Sequence, residues 1–453
     1  MPTLRCRLWT STAAMCVGVA LTAASTTPRV SFSDSRLKNG LRVIISEDHS
    51  APVFSLAVAY NVGSRDERKG RTGFAHLFEH MMFKGSANVG PGEHFLLIFN
   101  NGGSMNGTTN KERTNYYQTL PSNQLDLALF LEADRLRSLE ITKDNLDNQR
   151  HAVQEERRSG LDNQPYGRTF EALDELAFDN PAYQHSVIGS MEDLNAATVE
   201  DVAAFFKTYY APNNAVLSIV GDVKADEALA RTRKYFESIP SQSPPPPVDI
   251  TEPQRTEERR LTLDDGLARL HRIDMAYKIP PATSPDDDAL SVLGTVLGGG
   301  RSSRLHEQLV RQKELASTVG AFAGSSRGPG LFRIVAMALP GKAVADVERA
   351  LDEEIQKVLN GSIADWEMEK ARTTARSAFI SNVQSTLARA IILSEYALFY
   401  DDPDLINRRA AKIAAVTAAD IQRVARRYLT PQNRTVVITN PSPKGPAGAA
   451  GGL

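Results

Sequence analysis

His76-Leu77-Phe78-Glu79-His80 is the stretch of this 453-residue chain whose residue types and spacing bear most directly on chemistry. Residues four apart on a helix share a face, so imidazoles at 76 and 80 can converge on one metal ion, with Glu79 beside it to act on a water. His-x-x-Glu-His is the inverted order of the more familiar zinc-protease signature. The plainer alternative is an amphipathic helix that carries two of the chain's eight histidines. A catalytic zinc needs at least one further protein ligand and one open position. The two cysteines, Cys6 and Cys16, both lie in the first stretch of sequence, so a carboxylate is the expected third donor. Candidates cluster at Gln154-Glu155-Glu156-Arg157-Arg158, a charge-dense helical stretch. On a helix neighbouring side chains point about 100° apart, so Glu155 and Glu156 cannot both ligate well.

The elements that must hold these groups can be read from the rest of the chain. Residues 1–24 carry Arg5 and Arg7, an apolar run from Ala13 to Ala23 and a small-residue exit, which is the form of a cleaved secretory signal and predicts a periplasmic protein. Cleavage removes both cysteines and two arginines, leaving 50 basic and 54 acidic residues. A net charge of −2 for the whole chain gives no positive field for nucleic acid. No later stretch reaches the roughly 20 apolar residues of a stable membrane span. Thr198–Asn214 aligns without a gap on Thr417–Asn433 at a constant offset of 219, matching Thr198, Asp201, Tyr209, Pro212 and Asn214 to Thr417, Asp420, Tyr428, Pro431 and Asn433. In both copies a Thr-capped helix runs to a proline and then an apolar strand, at 215–220 and 435–439. A duplicated α+β fold follows, with two homologous domains, each a mixed β-sheet flanked by helices, facing each other as a clamshell. The expected bounds are 30–239 for the first domain, 240–255 for a stiff Pro-rich linker, 256–440 for the second domain and 441–453 for a Gly/Ala/Pro-rich disordered tail. Strands are predicted at 40–46, 53–62 and 267–278, and helices at 72–84, 125–136 and near 286–297.

HxxEH, a glutamate within RHAVQEERR about 75 residues later, LKNGLRVIISEDHSAPVFSLAVAYNVGSRDE, NNGGSMNGTTNKERTNYY and LGGGRSSRL stand in one order along the chain. This order resembles the pitrilysin/insulinase family of zinc metallopeptidases, especially its processing-peptidase-like branch. The resemblance implies His76, His80 and Glu156 as Zn2+ ligands and Glu79 as general base. It places Gly102–Thr108 in a strand beside the metal helix, with Asn106 and Gly107 holding extended or unfolded peptides. It also aligns Arg311 with a substrate-holding arginine of the second half. Two departures stand out: Ser317 occupies the place of an oxyanion-stabilising tyrosine, and Gln149 that of a supporting acid seven residues before Glu156. Together they imply a zinc-bearing subunit that works in a heterodimer, or a homodimer, with a homologous partner supplying the tyrosine. The competing expectations are a non-catalytic scaffold subunit of the same family and a two-lobed solute-binding protein; the second leaves HxxEH unexplained.

Overall fold

The computed structural model describes residues 29–442; the expected signal at 1–24 and the tail beyond residue 442 lie outside them. Two mixed sheets organise the chain. The first is built from β1 (Ser33–Arg36), β2 (Arg42–Glu47), β3 (Val53–Tyr60), β4 (Ser104–Thr109), β5 (Thr114–Pro121) and β6 (Ala215–Gly221), in the order β1-β2-β6-β3-β5-β4. The second is built from β7 (Arg259–Asp265), β8 (Arg272–Ile279), β9 (Ala316–Gly324), β10 (Gly330–Ala338) and β11 (Arg434–Pro441), in the order β7-β11-β8-β10-β9. Each has one parallel pairing, β2 with β6 and β7 with β11, and is otherwise antiparallel. β4 and β9 are edge strands. Pro441, the first residue of the expected tail, closes β11.

The helices used below are α1 (Phe74–Met81), α2 (Lys143–Arg157), α3 (Gly167–Ala177), α4 (Val199–Tyr209), α5 (Asp287–Gly298), α6 (Thr386–Tyr400) and α7 (Ala418–Tyr428). The offset of 219 extends well beyond the repeated segment. It relates β3 to β8 at both ends, α4 to α7 at both ends, and the first residue of α3 to that of α6. The repeated residues do the same work twice. Thr198 and Thr417 each accept a hydrogen bond from the main-chain N–H three residues on, at 3.1 Å, satisfying an otherwise unpaired helix donor. Asn214 and Asn433 each donate to the carbonyl of the tyrosine five residues earlier at 2.8 Å, closing the helix before the strand begins.

The two halves are fastened by a reciprocal exchange of helices. α6 belongs to the second half but packs on β3 and β6 of the first, where Ala390, Leu393 and Ala397 meet Ile44, Ala57, Val216 and Val220. α3 belongs to the first half but packs on β7, β8 and β11, where Leu173 and Ala177 meet Ala276, Leu331 and Val437. Each sheet therefore buries one face with a helix contributed by the other half. The chain between 236 and 259 holds neither helix nor strand and is pinned along its course. Asn180 donates to the carbonyls of Asp249 and Thr251, Asn213 to that of Gln242, and Lys278 to the carboxylate of Glu252.

Candidate metal centre

α1 is set by both ends and by its apolar face. Gly73 stands before it at φ 86°, a left-handed conformation that suits glycine, and any side chain there would collide with the Ile188 carbonyl. The buried carboxylate of Glu67 accepts from the N–H groups of Gly73 and Ala75, both at 2.8 Å, capping the helix start. Phe74, Leu77, Phe78 and Met81 enter the first core, and Phe78 lies against Tyr210 with ring centroids 4.2 Å apart. The opposite face carries His76 and His80, whose rings are 4.8 Å apart and nearly perpendicular. The predicted helix at 72–84 is thus shortened at its start by the turn at Gly73.

α2 packs against α1 and supplies the third group. Thr142 caps it, and Leu146, Gln149 and Val153 are buried on the stripe that continues to Glu156. Arg157 anchors its end, donating to both carboxylate oxygens of Glu171 at 2.7 and 3.0 Å and to the Gly189 carbonyl at 2.7 Å. Oε2 of Glu156 lies 3.7 Å from Nε2 of His76 and 3.4 Å from Nε2 of His80. Glu155 turns away and pairs with Arg158 at 3.2 Å. A tetrahedral zinc with bonds of about 2.0–2.1 Å has ligand-to-ligand edges of about 3.3 Å, so two imidazoles and a carboxylate at this spacing fit that ion. Among the described residues this is the one His/Asp/Glu group gathered closely enough to hold a metal.

Electrostatics prepares the donors. Burial first, and then the neighbouring His80, push the His76 imidazole down to about 4, with Glu156 opposing, so its lone pair is free at neutral pH. The hydrogen bond to His80 holds Glu156 below the ordinary carboxylate value. Nδ1 of His76 is buried and has no hydrogen-bond partner among the described residues, whereas metal-binding histidines usually donate that N–H to an acceptor. Gln149 does not fill this gap: its amide donates to Asn148 at 2.6 Å.

Glu79 is held from the side of β4. Its Oε2 accepts from the Thr109 hydroxyl at 2.6 Å, and a Cβ on Gly107 would come within 2.9 Å of its Oε1. Gly107 and Thr109 alternate onto one face of the strand, so both meet the same carboxylate. Burial raises the Glu79 carboxyl above its ordinary value, and the Thr109 hydrogen bond opposes that. Gly107 was expected as a main-chain contact for a peptide; its missing side chain also makes room for Glu79. Asn106 is exposed on β4, and its Oδ1 accepts from the Gly107 N–H at 2.9 Å. Thr109 is the site residue that sequence reasoning missed, because a threonine in a strand carries no distinguishing signal.

Arg311 is not gathered with these groups. It lies in the segment His306–Gln312, which packs chiefly on β9 and the helix Val344–Asn360 of its own half, and it pairs with Glu307 at 3.1 Å. Ser317 donates to the Met337 carbonyl at 3.3 Å. The glycine run at 298–300 ends α5, and the residues after it, Ser302 to Arg304, line a cavity with Glu354, Trp366 and Glu367. α5, which packs on the edge strand β9 as α1 packs on the edge strand β4, contains neither histidine nor glutamate, and its Gly294 lets the helix approach the main chain of Phe322 in β9.

The family model described as insulinase (peptidase family M16) matches residues 42–190, and that described as the peptidase M16 inactive domain matches residues 196–375. The chain is 29% identical over 428 residues to the zinc protease PqqE of Helicobacter pylori, spanning 94% of this chain and 96% of that one. It is 26% identical over 419 residues to a probable mitochondrial-processing peptidase subunit beta of Arabidopsis thaliana, spanning 89% and 77%. Among solved structures, a protease from Helicobacter pylori superposes with a TM-score of 0.87 at 29% identity, over 91% of this chain and all of that one. A structure titled as a peptidase M16 inactive domain, from Pseudomonas fluorescens, shares the fold with a TM-score of 0.82 at 16% identity, over 91% and 98%.

Proposed function

The chain belongs to the insulinase family of peptidases, peptidase family M16, and on that premise we propose that it is a zinc-dependent endopeptidase acting on extended or unfolded peptides. The observation that carries the reading is the convergence of His76, His80 and Glu156 beside a Glu79 carboxylate held under an edge strand. His76, His80 and Glu156 would hold the ion. Zinc bound there would supply Lewis acidity, which polarises a scissile carbonyl and makes a water nucleophilic near neutral pH. Glu79 takes the proton of that water and passes it to the leaving amine. The free edge of β4 offers main-chain donors and acceptors to a peptide laid alongside it, which favours unfolded substrates and loose sequence preference. Asn106, with the NH2 of its amide, and Gly107, with its main chain, flank that edge.

The same reading assigns the metal-free half to substrate holding and gives the enzyme a homologous partner. Arg311 would hold substrate across that assembly, and a tyrosine from the partner would serve where Ser317 stands. The naming of a relative as a processing-peptidase subunit supports a paired arrangement. Export to the periplasm rests on the signal-like residues 1–24. Among the described residues no helix is long and apolar enough to cross a membrane. The second reading, a scaffold subunit, is favoured by the inactive-domain match over 196–375, but all four groups of the metal centre lie outside those residues. Metal analysis together with cleavage of an unfolded peptide decides between them: the enzyme binds one zinc per chain and loses cleavage in Glu79→Gln, whereas the scaffold binds zinc or none and cleaves nothing under any pairing.

A further inference from the structure

Resting on the reading of Glu79 as general base, we propose that Arg113 and Glu395 are positioning residues for that base, acting through the end of β4. A carboxylate on a helix has several rotatable bonds, and one strong contact fixes this one, the 2.6 Å bond from Thr109. Thr109 is the last residue of an edge strand, hydrogen-bonded to a neighbour on one side, and a four-residue turn follows it. Strand ends in such places fray unless something else holds them. Here Arg113 does so. Its NH1 donates to the Thr108 carbonyl at 2.8 Å and to the Thr108 hydroxyl at 2.9 Å, gripping the peptide unit that leads into Thr109. Its Nε donates to Oε1 of Glu395 at 2.7 Å, and both side chains are largely buried. The next residue back in the turn, Glu112, is buried and accepts from Arg65, from the Tyr183 hydroxyl and from the main-chain N–H of Arg327.

Glu395 sits on α6, and Arg327 between β9 and β10, so both come from the half that carries no metal group. The exchanged helix therefore covers the first sheet and also sets the hairpin from which Thr109 reaches Glu79. A plain inter-half ion pair would stabilise the fold and leave the base where it is. A positioning pair moves the base when it is cut.

The test measures kcat, KM, zinc content and melting temperature for Thr109→Val, Thr109→Ser, Glu395→Gln and the double variant Thr109→Val/Glu395→Gln, with crystal structures of the metal-free variants. General-base contributions of about 100- to 10,000-fold set the scale, so Thr109→Val should lower kcat about 10- to 100-fold and Glu395→Gln about 3- to 10-fold, with KM and zinc content unchanged. Thr109→Ser, which keeps the hydroxyl, should restore kcat to within about threefold. The double variant should fall no further than Thr109→Val alone, because the two changes act on one group. In the metal-free crystals the Glu79 carboxylate should leave its place in Thr109→Val and in Glu395→Gln, and keep it in Thr109→Ser. The proposal is overturned if the two losses multiply, if Glu395→Gln lowers the melting temperature alone, or if the carboxylate stays where it is. A zinc-loaded wild type that cleaves nothing with any partner would instead overturn the general-base reading, and the crystals would still decide whether Glu395 positions Glu79.

Discussion

On the proposed mechanism, the chemistry depends on single atoms of Glu79 and Gly107. Glu79→Gln keeps the shape and removes the proton acceptor, so cleavage should fall by about 100- to 10,000-fold while zinc content stays at one per chain. Gly107→Val places branched carbons where the Glu79 carboxylate lies. Because that carboxylate ends a flexible side chain, the expected result is a loss of at least about tenfold in kcat with a melting temperature close to wild type. His76 gives a pH prediction for the metal-free chain. Unfolded, the imidazole takes a proton below about 6.5, whereas the folded chain resists it down to about 4, so between these values the unfolded state binds more protons. The contribution of His76 to stability then falls as pH falls through that window, by on the order of 3 kcal/mol in all. Urea titrations at pH 7 and pH 5 check this, and His76→Gln should flatten the difference.

At the scale of elements, the exchange of α3 and α6 makes each sheet depend on the other half of the chain. Leu393 is fully buried between α6 and the first sheet, and Leu393→Ala should cost about 2–5 kcal/mol. Because each helix covers the other half's sheet, calorimetry should show that loss as a single shifted transition; two separated transitions would contradict the coupling. Residues 29–239 expressed alone should not fold stably, since Ile44, Ala57, Val216 and Val220 would face water. The individual elements were legible because their signals are local: Thr198 and Thr417 cap, Asn214 and Asn433 close, and short, largely apolar runs mark β3 and β8. The exchange was not legible. It rests on contacts such as Leu393 with the first sheet, and an apolar helix face states that it is buried, never against which sheet.

For the whole molecule, the same division between local and long-range information decides what could be read. Helix periodicity brings 76 and 80 together and keeps 155 and 156 from ligating alike; the choice of Glu156 is what the family resemblance implies, and its Oε2 lies 3.7 and 3.4 Å from the two imidazoles. The hold on Glu79 by Thr109 and Gly107 was not legible, since it depends on how β4 lies against α1. The substrate-holding role of Arg311 comes from alignment alone; within the single chain its side chain pairs with Glu307 of its own half. If a partner supplies the tyrosine that Ser317 replaces, a homologous subunit should raise kcat/KM by about 100- to 1,000-fold, the value of one oxyanion donor. The most direct test of the central claim is cleavage of one unfolded peptide by the zinc-loaded wild type and by zinc-loaded Glu79→Gln, each assayed alone and with a homologous partner. The account predicts cleavage by the wild type, faster with the partner, and at least about a 100-fold loss in the variant at equal zinc content. Equal rates for the two proteins, or no cleavage by either with zinc bound, would contradict it.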